Sequence, residues 1–571
     1  MWCFISTHNK FEYKECLSRE TCLSTFVSFR GDSGMSIQEL ISNFKFLRVL
    51  SLSSCQNIKV VPDGIGNLIH LRSVDLSNTH IETLPDSMCL LCNLLVLKLN
   101  YCLNLEELPS TLHELTNLRC LELLGTTLRK APVLLGKLKN LQVWMNEFEF
   151  SIRHLGELDL HGELSIQNIE NIVNLCDTFA ADLKNKTHLV RLRLEWNFKR
   201  SNDDSIKVRE VLESLQPPKH LKYLSIDGYS GTKFPSWLSD NSLSNMVCLT
   251  LQRCRYCPWL PSLGLLTVLE YLKIDGLDWI QRIDADFYGN SSSSFPSLET
   301  LIFTHMKYWE EWQFLTGAFR NLRSLYVKDC PKLKGHFLEQ LSHLKKLTIE
   351  NCKQLGASIP SAVEIEGVKM EPSSLPIVSH TPLEYLIIGF CPDINIPINH
   401  CPFLLELRIS YSCDSLTTFS LDLFPKLRHL TLHHCYNLEM ISQEHPHSHL
   451  KILEIIECSE LKSFSNEGLF APQLETFEIR GLKKWKSMPK HMSALLPSLH
   501  RLLIIDCPGV ELSEECFPSN IKEIYLWNCS KVVGSLKGVW GTNPSLKFLR
   551  ITNPSLLYSN NSFSFDNHLN D

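Results

Sequence analysis

The sequence lacks several of the features that mark common protein classes. No apolar stretch reaches the roughly 20 residues of a membrane-spanning helix, so we expect no membrane span. The first residues, from Met1 to His8, contain neither the basic region nor the apolar region of a secretory signal peptide. The formal net charge is −6, and no basic patch is large enough to neutralise several phosphates, which argues against nucleic acid as a partner.

Motifs of enzyme chemistry are absent or incomplete. No Gly-x4-Gly-Lys-Ser/Thr phosphate loop occurs. Residues 31–34, Gly-Asp-Ser-Gly, match the nucleophile motif of chymotrypsin-like proteases, but only His8 and no aspartate precede them to complete a triad. The Cys-x-x-Cys pairs that begin at Cys89 and Cys254 lack the second pair that a structural zinc site needs. We therefore predict that the chain is not an enzyme and that it holds no metal and no cofactor.

Cysteine, in contrast, is plentiful, with 22 residues. Ten of them share one position in a repeated phrase, where a small buried side chain closes the turn after a strand: Cys55, Cys102, Cys254, Cys330, Cys352, Cys391, Cys435, Cys458, Cys507 and Cys529. Without a signal peptide, they are expected to be reduced thiols in a cytoplasmic or nucleo-cytoplasmic protein. We interpret the alternating histidines His445, His447 and His449 as exposed polar loop residues.

The repeated phrase is Leu-x-x-Leu-x-Leu-x-x-Cys. It returns about nineteen times between Leu47 and Leu546, usually at intervals of about 21 to 25 residues, a period that indicates leucine-rich repeats. Leu427, Leu430 and Leu432 illustrate the alternation of a strand that turns its apolar side chains inward. Because one repeat cannot bury its apolar face alone, stacked repeats must bury it together. The sequence thus predicts an α/β fold, a curved leucine-rich-repeat solenoid with a parallel β-sheet on its concave face and irregular or short helical segments on its convex side.

The spacing of the phrase also predicts the organisation of the chain. We expect a helical turn at Ser36–Phe44, and within the irregular segment a pair of strands around Leu155–Ile166, followed by a helix around Val173–Lys186. The predicted boundaries are an N-terminal approach or cap segment at 1–39, a solenoid of about 20 repeats at 40–554 with an irregular segment at 142–188 and a loop insert at 353–382, and a disordered Asn/Ser-rich tail at 555–571.

The third, fifth and seventh positions of each phrase should point into the concave groove. Early repeats offer small or polar groups there, and central repeats offer charges and tyrosines such as Arg191, Tyr223 and Asp227. The last repeats combine aromatic, aliphatic and arginine side chains, the composition of an interaction hot spot: Glu478, Arg480, Arg501, Leu503, Ile505, Tyr525, Trp527, Phe548 and Arg550. The alternative is that a terminal helix or the tail covers these apolar groups as a cap.

Several stretches carry a more specific resemblance. They are residues 71–87, the segment Cys-Leu-Asn-Leu-Glu-Glu-Leu-Pro at 102–109, and the irregular segment with Gly-Glu-Leu-Ser-Ile-Gln-Asn-Ile-Glu-Asn at 162–171 and Leu-Arg-Leu-Glu-Trp-Asn at 192–197. They resemble the repeats of plant intracellular nucleotide-binding leucine-rich-repeat disease-resistance proteins of the coiled-coil class. The resemblance implies a protein ligand, either a pathogen effector or a guarded host protein, and a nucleotide-binding domain of the same family as a further partner.

The chain departs from that family in lacking the phosphate loop and the Met-His-Asp switch motif. The resemblance therefore implies a truncated family member, in which ATP or ADP would belong to a missing nucleotide-binding domain. We predict a non-enzymatic recognition module of plant innate immunity. The alternative is the substrate receptor of an F-box ubiquitin ligase, since such proteins also carry repeats with cysteine in this position. An adaptor-binding helical module before the repeats would favour the alternative.

Overall fold

The computed structural model separates into two compact units, residues 1–280 with 285–297 and residues 281–284 with 298–571. The described residues are 2–6, 23–29, 36–123, 125–126, 128, 142–146, 152–157, 160–197, 205–289, 294–315, 317–335, 343–355, 382–394, 401–464, 468–486, 488, 491–511, 520–529, 531–532 and 545–552. The predicted insert at 353–382 is thus described only at its two ends, and both the predicted tail and the protease-like segment 31–34 lie outside the described residues.

The first unit is built on one parallel sheet whose strands pair in chain order. Its strands are β1 Trp2–Ser6, β2 Thr25–Phe29, β3 Val49–Ser51, β4 Ser73–Asp75, β5 Val96–Lys98, β6 Cys120–Glu122, β7 Gln142–Asn146, β8 His161–Gln167, β9 His188–Glu195, β10 Tyr223–Asp227, β11 Cys248–Gln252 and β12 Tyr271–Asp275. Parallel pairing follows because each repeat returns the chain to the same edge before the next strand begins.

The second unit repeats this arrangement, with a long parallel sheet and two short ones. The long sheet contains β14 Thr300–Thr304, β16 Ser324–Lys328, β17 Lys346–Glu350, β18 Tyr385–Gly389, β19 Glu406–Ser410, β21 His429–His433, β23 Ile452–Ile456, β25 Thr476–Arg480, β26 Arg501–Ile505, β27 Glu523–Trp527 and β28 Phe548–Thr552. The short sheets pair β13 Arg282–Ile283 with β15 Glu311–Trp312, and β20 Thr418–Ser420 with β22 Met440–Ser442 and β24 Ser463–Phe464.

Helical segments in the described part of the chain are short. The α-helices are Ile37–Asn43, Leu175–Ala181, Ser205–Ser214, Ala285–Tyr288 and Met492–Leu495. The 3-10 helices are Asp63–Asn67, Asp86–Leu90, Leu112–Glu114, Ile152–Glu157, Ile169–Asn171, Leu183–Asn185, Ser236–Leu238, Asn241–Leu243, Leu263–Leu265 and Leu421–Leu423. Within the described ranges, none of the helices has the length and apolar character needed to cross a bilayer.

The predicted core alternation is confirmed in the strands. Leu427, Leu430 and Leu432 have no exposed surface, and the same positions are buried in repeat after repeat. The fold class is the expected α/β leucine-rich-repeat solenoid, with one apolar layer per repeat. Each buried leucine in these layers stabilises the fold by about 1.5–3 kcal/mol.

The sheet begins earlier than the first Leu-x-x-Leu phrase. Strands β1 and β2 lie within residues 1–39, for which the sequence predicts an approach or cap segment, and β2 pairs with β3 in the register Thr25 to Val49. Phe26 is fully buried. The helix Ile37–Asn43 forms as predicted; the Ser36 hydroxyl accepts from the Glu39 backbone N–H at 3.2 Å, and the Glu39 carboxylate accepts from the Ser36 N–H at 2.9 Å.

The irregular segment agrees with its prediction only in part. The strand around Leu164 and the helix at Leu175–Ala181 are confirmed, but the expected strand at its start is a 3-10 helix, Ile152–Glu157. Ile152 and Leu155 are both buried, and their spacing of three places them on the same side of a helical turn. The buried side chain of Lys186 donates to the Gly156 carbonyl oxygen at 2.9 Å. This hydrogen bond connects the 3-10 helix Ile152–Glu157 to the segment directly before β9.

Candidate protein-interaction surface

The nine residues predicted as the recognition surface lie on one face of β25, β26, β27 and β28. The register aligns Glu478 with Leu503, Leu503 with Tyr525, and Tyr525 with Arg550. A parallel row aligns Arg480, Ile505 and Trp527, while Arg501 and Phe548 belong to the third row. We call this set of nine residues the terminal face. All nine therefore lie on one surface four strands wide.

Apolar side chains occupy the centre of the terminal face. Trp527 and Phe548 are each 44% exposed, and Leu503, Ile505 and Tyr525 are half-buried. The rings of Tyr525 and Phe548 pack with centroids 5.0 Å apart. Below them, the inward residues of β25, β26 and β27 are almost fully buried. The exposed groups are thus fixed on a close-packed layer, which lowers the entropy lost on binding.

Charged groups form the border of the terminal face. The Arg480 guanidinium donates to Glu478 at 2.9 Å, and Arg501 pairs with Glu523 at 3.3 Å. The Arg501 guanidinium also lies over the Tyr525 ring, 5.3 Å from its centroid. Exposed ion pairs of this kind add little stability. We infer that their role is to hold the two arginine side chains in a fixed orientation. The alternative cover by the tail involves residues outside the described ranges and stays a prediction.

The central repeats of the first unit have a different, polar surface. A depression of about 200 Å³ is lined by charged and polar groups that include Arg191, Glu195, Tyr223 and Asp227. The Arg191 guanidinium lies 4.2 Å from the Tyr223 ring centroid, and the Arg253 Nε donates to Asp227 at 2.6 Å. Burial raises the pKa of Glu195, against the opposing effect of Arg193. The charged groups of this depression pair with one another, and its lining is mostly polar. It therefore offers a partner less apolar area than the terminal face.

A further exposed group was not identified from the sequence. Phe390, Tyr411 and His434 occupy the eighth position of successive phrases in the second unit, directly after the strand, and their rings stack. The sequence analysis considered only the third, fifth and seventh positions. The available signal was the aromatic or histidine residue that directly precedes the ninth position in three consecutive repeats.

The ninth-position cysteines are buried and unpaired by disulfides, as the sequence predicts. The Cys529 thiol lies 3.3 Å from the Ile504 carbonyl oxygen of the preceding repeat and 3.1 Å from that of Trp527. Burial raises the pKa of Cys507 to about 12. Cys507 is therefore a protonated thiol, and other ninth-position thiols, such as those of Cys102, Cys330 and Cys458, donate to backbone oxygens.

Within each Cys-x-x-Cys pair, the two thiols have different surroundings. Cys89 is buried while Cys92 is exposed, and the Cys257 thiol donates to the Gly231 carbonyl oxygen at 3.1 Å. Over the described ranges, no group of three or more His, Cys, Asp or Glu residues is arranged to hold a metal ion.

The prediction of three exposed histidines is wrong for one of them. His445 and His449 are exposed, but His447 is only 4% exposed. Its Nδ1 accepts from the Leu450 N–H at 3.2 Å, so Nε2 carries the hydrogen and donates to the Phe424 carbonyl oxygen at 2.7 Å. Burial lowers the pKa of His447. The sequence did not indicate that His447 is buried, because the loop does not continue the alternation of the strand and its pattern therefore does not report which side chains turn inward.

Comparison with known proteins places the repeats in one group. A family model described as R13L1/DRL21 LRRs matches residues 152–277, which include residues 152–188 of the irregular segment. The putative disease resistance RPP13-like protein 1 of Arabidopsis thaliana is 37% identical over 457 residues, covering 74% of this chain and 41% of that protein. The putative disease resistance protein RGA1 of Solanum bulbocastanum is 34% identical over 339 residues, covering 58% of this chain and 32% of that protein.

The chain thus spans less than half the length of these relatives. Among solved structures, the TLR13–ssRNA13 complex covers 90% of this chain and 78% of its own, with 17% identity and a TM-score of 0.42, a level that supports no conclusion about ligands. The conclusions about family come from the sequence relatives and from the match to the irregular segment. The chain is a leucine-rich-repeat protein of the plant disease-resistance family.

Proposed function

We propose that this chain is a non-enzymatic recognition module of plant defence that binds a pathogen effector or a guarded host protein through the terminal face. The relatives are plant disease-resistance proteins, which supports the defence role. The observation that supports the location is the contiguous set of exposed aromatic, aliphatic and arginine side chains on β25 to β28. We propose cytoplasmic or nucleo-cytoplasmic localisation as well.

Trp527 is the side chain that we expect to contribute most. A tryptophan offers up to ~250 Å² of contact area, so its 44% exposure leaves about 110 Å² to be buried by a partner. At about 25 cal/mol per Å², that burial is worth roughly 2–3 kcal/mol, the size of a binding hot spot.

The experiment is a pairwise interaction screen of the chain against secreted pathogen proteins in leaf cells, followed by affinity measurement with the purified proteins. Trp527→Ser should weaken an authentic complex by roughly 30-fold or more. Trp259→Ser is the matched control, because Trp259 is 63% exposed and lies outside the strands. Equal loss of binding in both variants, or none in Trp527→Ser, would contradict the terminal face as the site.

A nucleotide-binding domain of a disease-resistance protein is the second proposed partner, and ATP or ADP would bind to that domain. The purified domain, added to the chain in an affinity measurement, tests this separately. The F-box alternative predicts a helical adaptor-binding module before the repeats. We favour the defence function because the sequence relatives are plant disease-resistance proteins.

A further inference from the structure

The second unit presents a row of side chains along the edge where its strands end. We call the eighth positions of successive phrases the rim row, and in this unit they are His305, Asp329, Asn351, Phe390, Tyr411, His434, Glu457, Gly481, Asp506 and Asn528. All ten have positive φ between 50° and 64°. The backbone N–H of each rim residue donates to the last residue of the next strand, as Tyr411 does to the His433 carbonyl oxygen at 2.9 Å. The left-handed conformation favours glycine, asparagine and aspartate.

Three consecutive rim residues are bulky rings in spite of this preference. Phe390 and Tyr411 stack with centroids 4.6 Å apart and planes at 9°, and Tyr411 and His434 stack at 4.0 Å and 20°. Tyr436 packs edge-on against Tyr411, with ring centroids 6.3 Å apart, and at a tilt against His434, at 5.5 Å. Phe390 is 51% exposed and Tyr436 is 46% exposed. The stack is therefore an aromatic surface open to solvent, at positions where small polar residues would fold with less strain.

Three carboxylates flank the stack along the chain, and Arg480, which also acts electrostatically on the adjacent His433, is paired with Glu478. Asp393 and Asp414 follow Phe390 and Tyr411 by three residues each, and Glu457 is the next rim residue after His434. Within the described part of the chain, none of these three carboxylates forms an ion pair. Neighbouring carboxylates on the sheet, in contrast, have partners: Glu406 with Arg408, Glu454 with His429, and Glu478 with Arg480.

We propose that the stack of Phe390, Tyr411 and His434 is a second docking surface, separate from the terminal face, which takes an arginine side chain from a basic segment of a protein partner. A guanidinium is planar, stacks on aromatic faces and is attracted by the negative faces of the rings. The nearby unpaired carboxylates attract the same charge and repel an acidic partner. An apolar helix would need a groove, whereas the stack is a narrow row one ring wide.

Two short peptides serve as the probe: one contains two arginines, and the other has citrulline at both positions, which keeps the planar shape but removes the charge. Binding is followed on the full chain by ¹⁹F NMR after incorporation of 3-fluorotyrosine. The resonance of Tyr411, assigned through Tyr411→Phe, should shift with the arginine peptide, and the citrulline peptide should bind at least tenfold more weakly. Equal shifts with both peptides, or no shift, would overturn the proposal.

Phe390→Asn tests the stack without disturbing the backbone, since Asn351 and Asn528 occupy the same left-handed position. We expect this variant to weaken binding of the arginine peptide by roughly threefold to tenfold. Tyr101→Asn is the matched control, because Tyr101 has the same position in the first unit, with 52% exposure and φ 57°. Unchanged binding of the arginine peptide in Phe390→Asn would show that the peptide binds elsewhere on the chain and would refute the proposal.

Trp527→Ser separates this surface from the proposed function. The variant should bind the arginine peptide with unchanged affinity, because the strand that carries Trp527 is five strands away from the strand that precedes Tyr411. Loss of peptide binding in Trp527→Ser would place the peptide on the terminal face and would contradict the docking surface at the rim.

Discussion

Replacement of His447 by leucine should destabilise the loop between β22 and β23 far more than its loop position suggests. The imidazole bridges two backbone groups, the Phe424 carbonyl oxygen of the preceding repeat and the Leu450 N–H. Leucine fills similar space but leaves both groups buried without a partner. A buried unpaired polar group costs ~1–3 kcal/mol, so the variant should lose about 2–4 kcal/mol of local stability.

The same contact predicts a dependence on pH. Burial lowers the folded-state pKa of His447, so the unfolded chain binds the proton more readily. The stability contribution of the neutral imidazole is therefore complete above the unfolded pKa of about 6.5. It is lost as the pH falls from that value through the lowered folded pKa, since the protonated ring can no longer accept from Leu450.

Amide hydrogen exchange is the suitable assay, because repeat proteins open locally and a single global free energy is not well defined. Peptides that cover residues 443–456 should lose protection by roughly 30-fold or more in His447→Leu. In the unmodified chain, after correction for intrinsic rates, a fall in pH from 7.5 to 5.5 should lower protection by up to about tenfold, the most that one group with an unfolded pKa of about 6.5 can contribute over that range. His449→Leu, two residues away and exposed, is the control. Similar exchange in both variants would refute the reasoning.

Two further predictions concern glycine and cysteine. Gly228→Ala should open the end of β10, because Gly228 has φ 72° and an added Cβ would lie 2.4 Å from the Trp196 carbonyl oxygen. Gly389→Ala is the control: the nearest atom to its added Cβ would lie at 3.5 Å, so this variant should be neutral or more stable by about 0.4–1 kcal/mol. Hydrogen exchange at the two strand ends distinguishes the variants. In the native chain at pH 8, iodoacetamide should alkylate the exposed Cys92 rapidly and the buried Cys254 only after unfolding, as followed by mass spectrometry. Alkylation of both at the same rate would contradict the burial of the ninth-position thiols.

The strands and their outward residues could be predicted because one period fixes both. A phrase of alternating leucines determines which side chains turn inward, and the period of the repeat determines which residues become neighbours across strands. The placement of Leu503 beside Tyr525, and of Ile505 beside Trp527 in the neighbouring row, therefore follows from the sequence alone, and the register confirms it. Whether a partner binds there depends on chemistry outside the chain, so the function of the face stays a proposal.

Features that depend on loops could not be predicted in this way. His447 is buried because loops of neighbouring repeats approach one another, and no local period reports such a contact. The 3-10 helix at Ile152–Glu157 was mistaken for a strand because Leu155, Leu158 and Leu160 partly alternate, whereas the structure buries Ile152 and Leu155 at helical spacing. Short apolar runs fit both periods, and tertiary packing decides between them.

Neighbouring rim residues pack against each other in both units. At two places a long side chain is followed by glycine in the next repeat: a Cβ at Gly125 would lie 2.5 Å from the Tyr101 ring, and one at Gly481 would lie 2.3 Å from the Glu457 carboxylate.

Asp329 and Ser54 are instead followed by asparagine, whose side-chain amide donates to them, from Asn351 to Asp329 at 2.8 Å and from Asn78 to Ser54 at 3.2 Å. The stack of Phe390, Tyr411 and His434 is the third solution, in which each ring lies flat on the next. In these pairs the side chain packs against the residue at the same position of the next repeat, which is glycine after Tyr101 and Glu457 and a ring after Phe390 and Tyr411. A substitution in this row must therefore be judged by its neighbour as well as by its own backbone angle.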